Sequence, residues 1–228
     1  MNIHVFFDLH HTLIEKKYTY YELTCDTFRE HNIENTIDVE NANDFDARIN
    51  RMVSSMPASY FNNSASDKQW IEVFVNTLCY YGTTGDRAVL VARNIYDRLS
   101  EASNWVVFDD VIDALKYLND NNISHGFLSN WDNRMKKLWK NLALLMDEKD
   151  ALSLFSYEVE LYKPNPNLFK EYMEKAKQMY GHIDKFIYVG DDVTTDNGGE
   201  SLGVELVLVD RNRPNFNLRS VIENKIKG

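Results

Sequence analysis

The chain has 228 residues, enough for one large domain or for a core carrying a substantial insertion. A hydrophobic fraction of 44% and an aromatic fraction of 13% suit a globular protein with a filled core, and a formal net charge of −10 leaves no basic stripe for nucleic acid. No stretch approaches the roughly 18 consecutive apolar residues of a membrane span, and the N-terminus lacks the basic and apolar regions of a signal peptide. Cys25 and Cys79 fall inside helical patterns without metal-ligand spacing and read as two free core thiols. A soluble, cytoplasmic protein with no nucleic-acid or membrane partner is expected.

The chain opens on an apolar strand, residues 3–7, that runs into Asp8, His10, His11 and Thr12. Residues 16–104 follow with helical periodicity. One face is formed by residues 20, 23, 24, 27 and 28, a second by Trp70, Val73, Phe74, Thr77, Leu78 and Tyr81, and a third by Ala88, Val91, Ala92, Ile95 and Leu99. A weaker helical segment lies near 44–55 within a polar stretch, and no strand alternation is visible, so this region reads as an all-helical insertion. From about 105 strands and helices alternate. A helix over 109–119 precedes a strand at 123–128, and the next helix carries Met135, Leu138, Trp139, Leu142 and Met146. A short strand near 153–156 comes before Lys163, with Pro164 suited to open a helix through about 180. Strands at 186–189 and 204–209 complete the pattern. Strands separated by helices imply right-handed crossovers and a parallel sheet.

Four polar motifs each follow a strand, and open α/β sheets gather such positions on one edge. Asp8 can act as a nucleophile. Ser129 and Asn130 can donate hydrogen bonds to a phosphoryl oxygen, and Lys163 adds a fixed positive charge. Asp191, Asp192 and Asp196 crowd hard oxygen donors, which repel unless a cation or lysine compensates; such donors favour Mg²⁺. Taken singly, each has an ordinary structural explanation as a helix cap, a turn residue or a solvated lysine. Their convergence is what favours a site.

Phe7-Asp8-Leu9-His10-His11-Thr12, Phe127-Leu128-Ser129-Asn130, Leu161-Tyr162-Lys163-Pro164 and Val189-Gly190-Asp191-Asp192 through Asp196 resemble, in order and spacing, the four motifs of the haloacid dehalogenase superfamily of hydrolases. The resemblance covers the whole chain, and the helical stretch falls where one subgroup inserts a cap. It implies a Rossmann-like α/β fold, a doubly wound parallel sheet with an inserted all-helical cap, the core being 1–15 and 105–228 and the cap 16–104. It also implies a Mg²⁺-dependent phosphatase acting on a small phosphorylated metabolite through an aspartyl-phosphate. Asp8 would be the nucleophile and a metal ligand, together with Asp191 and the backbone carbonyl of His10. Thr12, Ser129, Asn130 and Lys163 would bind the phosphoryl group, with Asn130 also supporting its loop. Asp192 and Asp196 would orient metal waters and Lys163, and the cap would close over the site and choose the leaving group. Arg48, Arg51 and Trp70 are candidate cap residues for specificity.

His10 stands where the family's first motif usually carries a second aspartate, the group that protonates the leaving oxygen and then activates water. Its metal contact uses backbone, so the substitution touches proton transfer alone. An imidazole titrating near pH 6.5 can make both transfers. The other readings are a phosphate-binding or regulatory relative with little turnover, and a metal-independent 2-haloacid dehalogenase. Dehalogenases have little reason to keep Asp191, Asp192 and Asp196 together. A phosphonatase would need a Schiff-base lysine from the cap, where only Lys16, Lys17 and Lys68 offer themselves. His11 occupies a sharp turn, where histidine tolerates unusual backbone angles. Neighbouring side chains leaving a strand point apart, which argues against a transition-metal ion shared by His10 and His11.

Overall fold

The computed structural model describes residues 1–61, 63, 65–148 and 150–228. The strands in chain order are β1 (Ile3–Phe7), β2 (Ile14–Lys16), β3 (Trp105–Val107), β4 (Ser124–Ser129), β5 (Leu152–Phe155), β6 (Lys185–Gly190) and β7 (Glu205–Leu208). Helices α1 (Tyr20–Glu30), α2 (Ala42–Ser54), α3 (Ala58–Phe61), α4 (Asp67–Tyr80) and α5 (Gly85–Arg98) lie between β2 and β3. They are followed by α6 (Val111–Asp120), α7 (Met135–Leu145), α8 (Ser156–Val159), α9 (Pro166–Tyr180), α10 (Val193–Asp196) and α11 (Leu218–Lys227).

Five strands form one parallel sheet in the order β5-β4-β1-β6-β7, while β2 and β3 pair separately. From β1 the chain first builds outward through β4 and β5, then returns to the other side for β6 and β7. The switch point of the winding is therefore at β1, where doubly wound sheets place ligands. Phe7 sits opposite Phe127 on one side and Val189 on the other, so the carboxyl ends of β1, β4 and β6 are level.

The alternation of β1 divides its side chains between two apolar layers. Phe6 joins Leu128, Leu154, Tyr188 and the α9 residues Leu168, Phe169 and Tyr172, with its ring stacked 4.5 Å from that of Tyr172. Phe7 belongs to the other layer with Phe127, whose ring meets Trp139 at 4.9 Å. Asn165 caps α9 and Pro166 takes its first turn, so Pro166 opens the helix. The expectation for Pro164 was two residues early: it follows Lys163 through a cis peptide and belongs to the loop.

His4 lies fully buried in the first layer, between Ser124 Oγ at 2.9 Å and the Tyr172 hydroxyl at 3.0 Å. Burial, and then the neighbouring His125, lower its pKa to about 3. A folded value below that of an exposed imidazole means that the neutral ring's contribution is complete above about pH 6.5 and is lost as the pH falls toward 3. Between pH 6 and 4 wild-type stability should decline by up to ~1.4 kcal/mol per pH unit more steeply than that of His4→Asn. Urea unfolding at several pH values measures the difference, and parallel slopes would contradict it.

The chain divides into two compact units, 1–15 with 107–131 and 139–228, and 16–106 with 132–138. In the helical unit α1, α2, α4 and α5 bury Leu23, Phe28, Phe45, Ile49, Phe74, Leu78, Val91 and Ile95. The periodic faces read from the sequence are the faces that turn inward. Residues 132–138 were expected in the core but cluster with the helices. Arg134, buried, donates to Asp132 through its Nε and Nη2 and lies 4.5 Å over the ring of Trp70 and 5.1 Å over that of Tyr96. A guanidinium taken out of water requires such partners, and the helices supply the aromatic ones. Cys25 is half-buried and Cys79 exposed, so neither is the core thiol expected.

Candidate active site

Directly after β1 the chain reverses. The amides of Thr12, Leu13 and Ile14 all donate to the Leu9 carbonyl, and His11 adopts the left-handed region at φ 61°. Arg211 braces this reversal from the end of β7: its Nε donates to the Thr12 carbonyl at 2.9 Å and its Nη1 to Asp110 at 2.6 Å. The guanidinium lies 4.3 Å from the ring centre of Phe108 and 4.9 Å from that of Phe216.

The reversal projects Asp8 toward the ends of β4 and β6. Asp8 Oδ1 accepts from Ser129 Oγ at 2.5 Å and lies 3.0 Å from Lys163 Nζ. Oδ2 has no hydrogen-bond partner among the described residues and keeps its lone pairs available. Lys163 is almost completely buried and also contacts Asp196 Oδ1 at 2.6 Å and the Tyr188 hydroxyl at 2.9 Å. Burial pushes the lysine toward neutrality, but the charges of Asp8 and Asp196 outweigh it and raise its pKa. It is a fixed ammonium bridging two carboxylates.

Asp191 is the third carboxylate of the cluster, and Asp8, Asp191 and Asp196 each offer an oxygen within 4.8 Å of the others. Burial, followed by the adjacent Asp8 charge, pushes the Asp191 carboxyl up to about 6, against the lowering effect of the Thr12 hydroxyl that donates to it at 3.1 Å. Lys163 pairs with Asp8 and Asp196, and the lowering charge of His11 on Asp191 is smaller than the opposing effects of burial and Asp8. A divalent cation held by Asp8 and Asp191 would remove that imbalance, and the donors are the hard oxygens that Mg²⁺ takes.

Several expected roles change. Thr12 is fully buried with its hydroxyl committed to Asp191, so it positions a carboxylate and does not face a phosphoryl group. Asn130 Oδ1 accepts from the Lys163 amide at 2.8 Å and its Nδ2 donates to the Lys163 carbonyl at 3.1 Å, so the side chain ties the β4 turn to the lysine loop. Asp192, expected to orient Lys163, is instead the N-cap of α10, accepting from the Thr194 amide at 2.8 Å and hydroxyl at 2.7 Å. Asp196 alone of that pair meets the lysine. Ser129, Lys163, Asp8 and Asp191 come together as expected. In the helical unit Arg51 pairs with Asp44 at 3.1 Å, Arg48 lies over the Tyr80 ring at 3.7 Å, and Trp70 carries Arg134.

Gly190 is required by this packing. A Cβ there would sit 2.0 Å from Asp196 Oδ2, a carboxylate already pinned by Lys163 and by the Asp192 amide. Gly190→Ala should cost about 1–3 kcal/mol and lower turnover at least about tenfold by displacing Asp196. Thermal melting and steady-state assays read the two effects; unchanged turnover would show that the Asp196–Lys163 geometry is dispensable.

His10 and His11 do not point apart. The left-handed turn at His11 folds the rings together, with centroids 3.8 Å apart and planes 25° from parallel. Glu15 in the middle of β2 receives both: its Oε1 lies 3.3 Å from His10 Nε2 and its Oε2 lies 2.5 Å from His11 Nδ1. The correction follows from the backbone, because the rule of opposed neighbours holds for extended chain only.

Glu15, Tyr188 and Arg211 were missed in the sequence. Tyr188 alone left a signal. It shares a strand face with Phe186, inside a layer where a tyrosine hydroxyl must find a partner; here it accepts from Lys163 and donates to the Leu128 carbonyl at 2.8 Å.

A parallel sheet with a carboxylate–lysine cluster at its switch point defines an α/β protein with its polar site at the carboxyl ends of the strands. A model of the haloacid dehalogenase-like hydrolases matches residues 4–200. The chain belongs to that family. It is 26% identical over 122 residues to haloacid dehalogenase-like hydrolase domain-containing protein 3 of Danio rerio, covering 53% of this chain and 48% of that protein. It is 34% identical over 71 residues to the rhythmically expressed gene 2 protein of Drosophila melanogaster, covering 31% and 26%. The matches thus span about half or less of these relatives' own lengths.

The fold is shared with the Bacillus subtilis hydrolase YfnB, solved bound to magnesium, at a TM-score of 0.68 and 16% identity over 99% of this chain and 97% of that one. It is also shared with a 2-haloacid dehalogenase from Pseudomonas syringae, at a TM-score of 0.60 and 19% identity over 100% and 99%. Members of this family commonly use Mg²⁺. No helix among the described residues is long and apolar enough to cross a membrane.

Proposed function

We propose that the protein is a Mg²⁺-dependent phosphatase acting on a small phosphorylated metabolite, with Asp8 as nucleophile. The observation that carries this reading is the three-carboxylate cluster with a single lysine, which leaves Asp191 unbalanced and pushed up to about 6. A metal-independent dehalogenase has no use for that arrangement, whereas a cation and an incoming phosphoryl group both fit it.

Mg²⁺, held by Asp8, Asp191 and the backbone carbonyl of His10, would neutralise phosphoryl charge. Asp8 Oδ2 attacks phosphorus and forms an Asp8–phosphate bond as the bond to the leaving oxygen breaks. Ser129 Oγ and Lys163 Nζ hold Asp8 Oδ1 and fix the carboxylate's orientation. Lys163 also offsets charge on the transferring group, its ammonium kept protonated by Asp8 and Asp196. His10 gives a proton to the departing oxygen. It then takes one from the water that cleaves the Asp8–phosphate bond, returning Asp8 unchanged and releasing inorganic phosphate. Glu15 orients that imidazole, as a carboxylate behind a catalytic histidine does.

An aryl phosphate assayed with Mg²⁺ and with chelator across pH 5–9 tests the reading. Metal-dependent release of the phenol is expected. Absence of hydrolysis would support a phosphate-binding relative, and chloride release from 2-chloropropionate without metal would support a dehalogenase. The proton-transfer assignment has its own check. His10→Ala should lower turnover by about 10²–10⁴-fold, whereas His10→Asp should preserve or raise it. A comparable loss in both variants would mean that the imidazole has a role a carboxylate cannot fill.

A further inference from the structure

We propose that His10, His11 and Glu15 form a second metal site, selective for a borderline transition-metal ion such as Zn²⁺ and distinct from the Asp8–Asp191 cluster. Two imidazoles and one carboxylate are a ligand set that zinc takes with a fourth position left open. Each offers one ligand atom, and the three atoms lie within 4.8 Å of one another. Bonds of about 2.1 Å at tetrahedral angles separate ligand atoms by ~3.4 Å. His10 Nε2 lies 3.3 Å from Glu15 Oε1, while His11 Nδ1 meets the carboxylate's other oxygen at 2.5 Å, so a shared ion asks only that this second contact open as one oxygen turns to the metal. The two rings are prearranged, because the backbone at His11, φ 61°, stacks them on one side of the turn.

Access supports the same site. His11 and Glu15 line a cavity of about 470 Å³, together with Asp191, Arg211 and Asn212. That volume admits a hydrated ion and leaves room for the waters that complete its shell. The donor sets of the two sites differ in kind. Oxygen donors alone suit Mg²⁺, whereas imidazole nitrogen favours the later first-row ions. Saturating Mg²⁺ therefore leaves the histidine site to Zn²⁺.

Ligation through Nε2 takes the His10 ring out of proton transfer, so Zn²⁺ should inhibit hydrolysis; this consequence alone rests on the phosphatase reading above. Binding itself is read without any assay of turnover. The full chain, saturated with Mg²⁺, is titrated with Zn²⁺ by calorimetry, and with Co²⁺ as a visible-absorption probe of tetrahedral nitrogen ligation. One Zn²⁺ per chain is expected. His11→Asn, which tolerates the left-handed backbone, and Glu15→Gln should each weaken it more than about 100-fold, while Asp196→Asn, outside the cavity, leaves it within about threefold. Zn²⁺ affinity that survives both His11→Asn and Glu15→Gln, or that is lost only in Asp196→Asn, overturns the site. The Zn²⁺ concentration that halves wild-type turnover should match the calorimetric Kd. Tight binding without inhibition would leave the metal site standing and remove the acid–base role of His10.

Discussion

Asp8→Asn should abolish phosphate-ester hydrolysis, with a fall in turnover on the order of 10⁴-fold or more, while the folded structure persists. The asparagine can still accept from Ser129, so the ends of β1 and β4 stay joined. It supplies no anionic oxygen to attack phosphorus, and no other carboxylate can substitute. Asp196 is held by Lys163 and the Asp192 amide, and Asp191 by Thr12. Removing one of three crowded carboxylates also removes half of the proposed side-chain ligation. The rise in melting temperature that Mg²⁺ should give the wild type is therefore expected to shrink or vanish in the variant. Melting curves with and without Mg²⁺ alongside the assay separate loss of the nucleophile from loss of the fold. Residual activity near a tenth of wild type would remove Asp8 from the reaction.

Lys163→Met should have the largest effect on stability. The lysine is the one cation touching Asp8 and Asp196 among the described residues, and both carboxylates are buried. Taking away one member of a buried ion network leaves charge uncompensated in a poorly hydrated site, at a cost of about 3–5 kcal/mol. For a chain of this size that lowers the melting temperature by roughly 6–20 °C. Turnover should fall with it, because the charge facing the phosphoryl group is lost. Adding Asp196→Asn should recover part of the stability and none of the activity, since it removes the stranded charge without restoring the cation. Differential scanning calorimetry of the three proteins gives the comparison. Equal melting temperatures for wild type and Lys163→Met would mean that the network contributes no net stability.

Much of the fold was readable because its signals are local. The apolar run of β1 ends on Asp8, the i, i+3, i+4 stripes of α1, α4 and α5 name the residues that the helical unit buries, and alternating strands and helices imply the parallel sheet. Asp8, Ser129, Lys163, Asp191 and Asp196 were legible for the same reason: each follows or closes a recognisable element or loop. What could not be read depends on contacts distant in sequence. Asn130 meets the backbone of Lys163 across 33 residues, Lys163 meets Tyr188 across 25, and Arg211 reaches the Thr12 carbonyl across 199. These partners show Thr12 holding Asp191, Asn130 holding the backbone of Lys163, and Ser129 holding Asp8. Asp192 and Asp196 are alike in composition, and only the start of α10 distinguishes a capping carboxylate from one facing the lysine. The pairing of His10 with His11 turned on one backbone angle, which a periodic pattern does not encode.

The reading as a whole depends on a covalent bond between phosphorus and Asp8. Protein turning over a phosphate ester with Mg²⁺ is quenched in acid, reduced with borohydride, digested and analysed by mass spectrometry. An aspartyl-phosphate is an acyl phosphate and reduces to homoserine, so the peptide spanning residues 3–14 should carry homoserine at position 8, and the Asp8→Asn protein should carry none. Continued hydrolysis with residue 8 unreduced, or with the reduction found at another carboxylate, would contradict the account.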